Sequence, residues 1–164
     1  MIRIANPTDV CALAAIEAAC FPVAEAATPE QIARRVEQFG PYFLVQQMEG
    51  QIVGFVNGMC TNEPDLRDAM YEDAGLHDPD GNHVMIFGLD TLPGWQHQGV
   101  AKTLMRSLIE QAKRDRKTSI VLTCKKRLVS FYEQFGYRNE GLSASTHGDV
   151  EWFQMRLPLR PVNK

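Results

Sequence analysis

Residues Met85 to Met105 read MIFGLDTLPGWQHQGVAKTLM, and the reading of this stretch decides the fold. The apolar run Val84 to Leu89 has the composition of a buried strand, and Leu92-Pro93-Gly94 after it is turn-forming. From Val100 onward, Val100, Leu104, Leu108 and Ala112 recur every fourth residue, with Ala101, Met105 and Ile109 beside them. That spacing predicts a helix with one wide apolar stripe. The stretch is therefore a strand, a turn and a helix whose first turn begins at Gly99. A helix start presents unpaired N–H groups and the positive end of the dipole, which suits a phosphate. Gly99 lets the backbone approach such a group closely, and Ala101 is small enough not to obstruct it. No Gly-Lys-Ser/Thr follows, so this is not a nucleotide P-loop, and the dinucleotide pattern Gly-x-Gly-x-x-Gly is also absent.

Around this centre the chain reads as one domain, residues 1–164, with 45% hydrophobic and 23% charged residues. A formal charge of −3 argues against nucleic acid as the main partner. The signs are unevenly spread: Lys102 to Arg127 holds nine basic and two acidic residues, whereas Glu63 to Asp80 holds seven acidic residues and only Arg67. Solvated faces account for most such runs; the functional version is a polyphosphate on one side and a cationic substrate on the other. Cys11, Cys20, Cys60 and Cys124 lie far apart in apolar contexts, which predicts buried thiols rather than disulfides. The histidines show no metal-ligand spacing, so no metal is expected. With no signal segment and no run of membrane-spanning length, the expectation is a cytoplasmic protein with no membrane partner.

In order, Met1 to Ala5 alternates as a strand, and Pro7-Thr8-Asp9 starts a helix carrying Val10, Leu13, Ala14, Ile16 and Glu17. Thr28-Pro29-Glu30-Gln31 starts a second, with Ile32, Val36 and Phe39 on its apolar face and Gly40-Pro41 as its stop. Tyr42 to Met48 and Gln51 to Met59 form a hairpin about Glu49-Gly50, with Gly54 and Gly58 marking a bulge or a close approach. Thr61 to Asn82 is a long acidic connection, read as functional or mobile, with a helical turn near Leu66 to Tyr71. After the central unit come a strand, Ser119 to Cys124, a short helix, Leu128 to Phe135, and a strand pair, Tyr137 to Ser143 and Val150 to Leu157. The order β-α-α-β-β-β-α-β-α-β-β is that of an α+β fold with a mixed, mostly antiparallel sheet.

Two motifs carry a resemblance. Gln96-x-x-Gly99-x-Ala101, led in by Thr91-x-Pro93-x-Trp95, resembles the pyrophosphate loop of the GNAT N-acetyltransferase superfamily, and Phe131-Tyr132-Glu133-Gln134-Phe135-Gly136-Tyr137 resembles its Phe-Tyr-x-x-x-Gly-Phe/Tyr motif. The match runs from Ile2 to Leu157 and is nearest the arylalkylamine (serotonin-type) group and its bacterial relatives, through Leu76-His77-x-Pro79-x-Gly81, Leu122-x-Cys124 and Ser143-Ala144-Ser145-Thr146-x-Gly148. The resemblance implies a GNAT fold, with helices on both faces of a twisted sheet and the fourth and fifth strands splaying around acetyl-CoA. It implies that acetyl-CoA contacts Leu89, Asp90 and Thr91, the loop Gln96, His97, Gln98, Gly99, Val100, Ala101 and Lys102, and Cys124, Lys125 and Phe131.

The implied reaction is direct attack of a primary amine on the thioester, with Tyr132 as general acid to the leaving thiolate. Two departures stand out: Gln96 replaces the usual Arg, and the His-x-His pair of the arylalkylamine group is Met85 and Phe87 here. The general base is therefore open among His83, His147 and Asp90, with His147 slightly ahead. A polyamine, an amino sugar or a peptide amine is the alternative acceptor, and a non-catalytic acyl-CoA-binding module the alternative class. A monomer or a homodimer fits equally.

Overall fold

The computed structural model describes residues 1–145 and 147–159, with His147 described by its backbone alone. Among them, seven strands form one sheet in the order β1-β2-β3-β4-β5-β7-β6. They are β1 (Ile2–Ile4), β2 (Phe43–Met48), β3 (Gln51–Thr61), β4 (His83–Thr91), β5 (Ser119–Cys124), β6 (Arg138–Leu142) and β7 (Phe153–Pro158). Only β4 and β5 are parallel; every other neighbouring pair is antiparallel. The helices are α1 (Val10–Cys20), α2 (Pro29–Phe39), α3 (Asp68–Glu72), α4 (Val100–Arg114) and α5 (Val129–Glu133). This is the expected α+β GNAT order, with α3 added inside the acidic connection.

Local chemistry sets the element ends. Thr28 accepts from Gln31 N while the Gln31 side chain accepts from Thr28 N, a reciprocal cap that starts α2 at Pro29. Glu49 and Gly50 both adopt positive φ, 52° and 79°, as a two-residue hairpin turn requires. β7 begins at Phe153, three residues later than its apolar run, because Gly148 and Asp149 sit at positive φ in a turn. Cys60 and Cys124 are buried free thiols as expected, but Cys11 is exposed on the outer side of α1, so its apolar neighbours in sequence do not cover it.

β3 is buried on both faces. On one, Asn57 meets Arg35 of α2; on the other, a Cβ at Gly54 would lie 2.7 Å from Val100 Cγ1 of α4. Gly54 is thus the close approach that seats α4 on the sheet. Phe39, Phe43, Phe55, Met59, Met85, Leu104 and Leu108 fill the core, with Phe43 and Phe55 stacked at 5.5 Å. Each such side chain contributes about 1.5–3 kcal/mol on burial.

The acidic connection is more firmly held than its length predicts. Lys117, just past α4 and 5% exposed, donates from Nζ to the carbonyls of Pro79 and Gly81, both at 2.7 Å. His77 Nδ1 accepts from Cys60 N at 3.0 Å, and Asp78 N donates to Cys60 O at 2.9 Å. The segment is pinned to β3 and to the end of α4 at several points.

Candidate active site

The site begins with a break in the sheet. β4 and β5 pair from His83 with Ser119 to Ile86 with Leu122, and there the ladder ends. Beyond that point β4 stays with β3 and β5 stays with β7 as far as Cys124 and Phe153. The β3–β4 register shifts between Asn57 and Gly58, leaving Phe87 as the extra residue opposite them. A bulge bends its strand, so β4 turns away from β5 and a wedge opens.

A cavity of about 550 Å³ lies at this wedge. Ile86 to Leu89 form one wall, Leu122 to Lys125 the other, the α1–α2 connection covers it, and Tyr132 of α5 reaches it. Phe21, Tyr71, Phe87 and Trp152 contribute rings. The chain connection and β5 are joined across the mouth by Glu25 and Lys125, 2.9 Å apart, with the Lys125 ammonium 5.9 Å from the centre of the Trp152 ring. Tyr132 packs edge-on against Phe131 at 5.1 Å and Tyr137 at 5.7 Å. Burial holds its phenol well above the ordinary tyrosine range, so it carries its proton at neutral pH. Burial likewise raises the thiols of Cys124, to about 11, and Cys20, to about 12.

A polar cluster borders the same cavity. Arg35, 4% exposed, donates to Asn57 Oδ1 at 3.3 Å and to the Tyr71 carbonyl at 2.9 Å, and its guanidinium lies 4.9 Å from the centre of the Phe87 ring. Glu17, 5% exposed, accepts from Ala27 N at 2.8 Å. Asp90 is 1% exposed and neither carboxyl oxygen has a hydrogen-bond partner. Burial first, and then the facing Glu17 carboxyl, raise Asp90 well above the usual carboxylate range.

The other expected residues separate into two places. Leu89, Cys124, Lys125 and Tyr132 line the cavity, and Phe131 backs Tyr132. Gln96, His97, Gln98, Gly99, Val100, Ala101 and Lys102 do not line it; they form the turn into α4. Gly99 is left-handed at φ 84°, and nothing lies within 4 Å of where its Cβ would be. The first intrahelical bond is Thr103 N to Gly99 O at 3.0 Å, which leaves the N–H groups ahead of it pointing outward. Asp90 points into the polar cluster, and the Thr91 carbonyl accepts from Cys20 Sγ at 3.2 Å.

His83 is not placed at the cavity. His83 starts β4 at the opposite end of the parallel ladder from the wedge, bonded through Nδ1 to Ser119 Oγ at 2.7 Å, and burial lowers its pKa. Five residues of strand, roughly 16 Å, separate it from Gly88. The expectation that His83 serves as base does not fit that position. The His147 side chain and Thr146 lie outside the described residues. Sequence reading missed Glu17, Arg35, Phe87 and Tyr71 as site residues. For the first two the signal was a charge on an apolar helix face: Glu17 beside Leu13 and Ile16, and Arg35 between Ile32 and Phe39.

With this geometry in place, the chain can be set beside known proteins. The model of the acetyltransferase (GNAT) family matches residues 11–137. The chain belongs to that family. It is 29% identical over 113 residues to the serotonin N-acetyltransferase of Mesocricetus auratus, covering 68% of this chain and 53% of that protein. The chain thus spans about half the length of the curated relative it matches. Its fold is similar to that of the GphF GNAT-like decarboxylase in complex with isobutyryl-CoA, with a TM-score of 0.84 and 24% identity over 98% of this chain and 100% of that one. It is also similar to yncA of Salmonella typhimurium with its cofactor acetyl-CoA, with a TM-score of 0.70 and 16% identity over 100% and 96%. At those identities the likeness to solved structures speaks for the fold. Among the described residues no cluster of three or more His, Cys, Asp or Glu is arranged to hold a metal, and no helix is long and apolar enough to cross a membrane.

Proposed function

We propose that the protein is an acetyl-CoA-dependent N-acetyltransferase that passes the acetyl group to a small primary amine by direct attack, with Tyr132 as general acid. The observation that carries this reading is the wedge between β4 and β5, where the cavity and the Tyr132 phenol meet. The residues present fit the co-substrate. The outward N–H groups at the start of α4 and the open space beside Gly99 suit its pyrophosphate. Past Ile86 and Leu122 the facing strand edges are free to bond an extended pantetheine arm and to polarise a thioester carbonyl. Tyr132 holds the proton that a departing thiolate needs.

The acceptor side supports an organic cation: the cavity walls combine Phe21, Tyr71, Phe87 and Trp152 with the carboxylates Glu17 and Glu72. Polyamine, amino-sugar and simple aliphatic peptide acceptors share the ammonium but lack an aromatic ring, so they define the comparison set. A screen of primary amines with acetyl-CoA, read by release of free thiol, tests the assignment. Thiol release that requires the amine, with acetylated amine found by mass spectrometry, is expected. Tight CoA binding with no release across the whole panel would replace the enzyme by a CoA-sensing module.

A further inference from the structure

Acetyl transfer leaves one proton without a destination. A primary amine arrives as an ammonium ion and becomes a nucleophile only on losing a proton. Met85 and Phe87 cannot accept one, and His83 is at the wrong end of β4. The cavity does hold a fixed carboxylate. Glu17 Oε2 is anchored by the Ala27 N–H, while Oε1 lies 3.8 Å from the point where a Cβ on Gly88 would sit, on the part of β4 that has left β5. Asp90 Oδ1 is 3.0 Å and Asn57 Nδ2 3.3 Å from that same point. The absence of a side chain at Gly88 is what allows these groups to meet.

The charges in this buried group are unequal. Arg35 brings one positive charge, and Glu17 and Asp90 bring two carboxyls. Unbalanced charge is costly away from water, so the cluster reaches neutrality when the two carboxyls hold one proton between them. Asp90 is the natural holder, since neither of its oxygens meets a donor whereas Glu17 Oε2 already accepts from Ala27 N, and this leaves Glu17 Oε1 open to accept a proton at the cavity wall.

Resting on the acetyl-transfer reading above, we propose that Glu17 is the catalytic proton acceptor for the incoming ammonium, and that Asp90 is a positioning residue sharing a single proton with it. The ammonium gives one proton to Glu17 Oε1. The amine lone pair forms the C–N bond, and the C–S bond breaks with its electrons on sulfur. Tyr132 gives its phenolic proton to that sulfur and recovers one from the acylated nitrogen. Glu17 then returns its proton to water through the mouth of the cavity, so that one proton is released per turnover. The groups facing the pair are Cys20 of α1, Arg35 of α2, Asn57 of β3 and Tyr132 of α5. Glu25, Glu72, Lys125 and Arg127 line the same cavity, and Arg35 is the cation set against the buried carboxyls themselves.

The test is kcat/KM against pH for the best amine, from about pH 6 to 10, in the wild type, Glu17→Gln and Asp90→Asn. Glutamine keeps the acceptor for Ala27 N, and calorimetric CoA affinity reports whether the fold survives. Glu17→Gln should lose roughly 10²-fold at pH 7 with CoA affinity unchanged. The deficit should shrink as the pH approaches the amine's own pKa, where free amine comes from solution. Asp90→Asn should lower kcat/KM by less than Glu17→Gln does and displace the acid-side inflection from its wild-type position, because the shared proton is gone; an inflection left in place would overturn the role of Asp90. Wild-type kcat/KM in Glu17→Gln, or a deficit constant with pH, would overturn the proposal. A second measurement needs no turnover: carbon-13 NMR of the carboxyls should show one of the pair protonated at neutral pH and responding to substitution of the other. Two ordinary, independent carboxylates would overturn the pair. If the wild type itself releases no thiol with any amine, the acetyl-transfer reading falls and takes the role of Glu17 with it.

Discussion

The turn into α4 and the cavity at the wedge are built in opposite ways. The turn is contiguous, Gln96 to Lys102, and works through main-chain groups: a left-handed glycine and the free N–H groups of a helix start. The cavity is assembled from α1, α2, α3, β4, β5 and α5 and works through side chains, Arg35 among them held by residues distant in sequence. A backbone site tolerates changes of side chain and fails when its conformation is lost. An assembled site fails one function at a time. The proposed division of labour, co-substrate at the turn and chemistry at the cavity, follows from that contrast and can be broken by separating the two effects.

The largest effect is expected at Tyr132. Tyr132→Phe keeps the ring against Phe131 and Tyr137 but removes the proton, so kcat should fall by about 10²-fold with CoA affinity near wild type. Unchanged kcat would reduce Tyr132 to a packing residue. Gly99→Glu should do the reverse. It forces a side chain at positive φ and sets a carboxylate against the helix start, so CoA should bind about 10-fold more weakly while the KM of the amine holds. Titration calorimetry checks it, and an unaltered dissociation constant removes the turn from the site. Thr28→Ala deletes the cap of α2, the helix that carries Arg35, and should cost about 1 kcal/mol in chemical denaturation without touching CoA affinity. The smallest effect is expected from the histidines: His83→Gln and His147→Gln should each leave the acid-side inflection of the kcat/KM profile in place. Its disappearance in either would return the base to a histidine.

The contrast also explains what the sequence made legible. The strand–turn–helix from Met85 to Met105, the Thr28 cap and the Glu49-Gly50 turn rest on neighbours within a few residues, and each is where its spacing predicts. Gly54 and Gly58 were readable as a bulge or close approach for the same reason. The base was not. Glu17 and Asp90 are 73 residues apart, and nothing near either one marks the other. His83, one of the expected bases, lies on the central strand, but being on that strand does not place a side chain beside the wedge. Cys11 failed similarly, since a helix turns one side of even an apolar run outward.

The short ladder between β4 and β5 has a consequence for how the molecule yields. Strands β1 to β4 form one plate and β5, β7 and β6 another, and the sheet joins them along one seam, His83–Ile86 against Ser119–Leu122. Above the seam, the Tyr137 hydroxyl of the second plate reaches Met105 Sδ, 3.2 Å away on the helix that covers the first. Backbone amides should therefore exchange with deuterated solvent as two cohorts, one for each plate, with the seam the first to lose protection. A molecule gripped by both edges of the wedge acts as a rivet and should merge the cohorts into one.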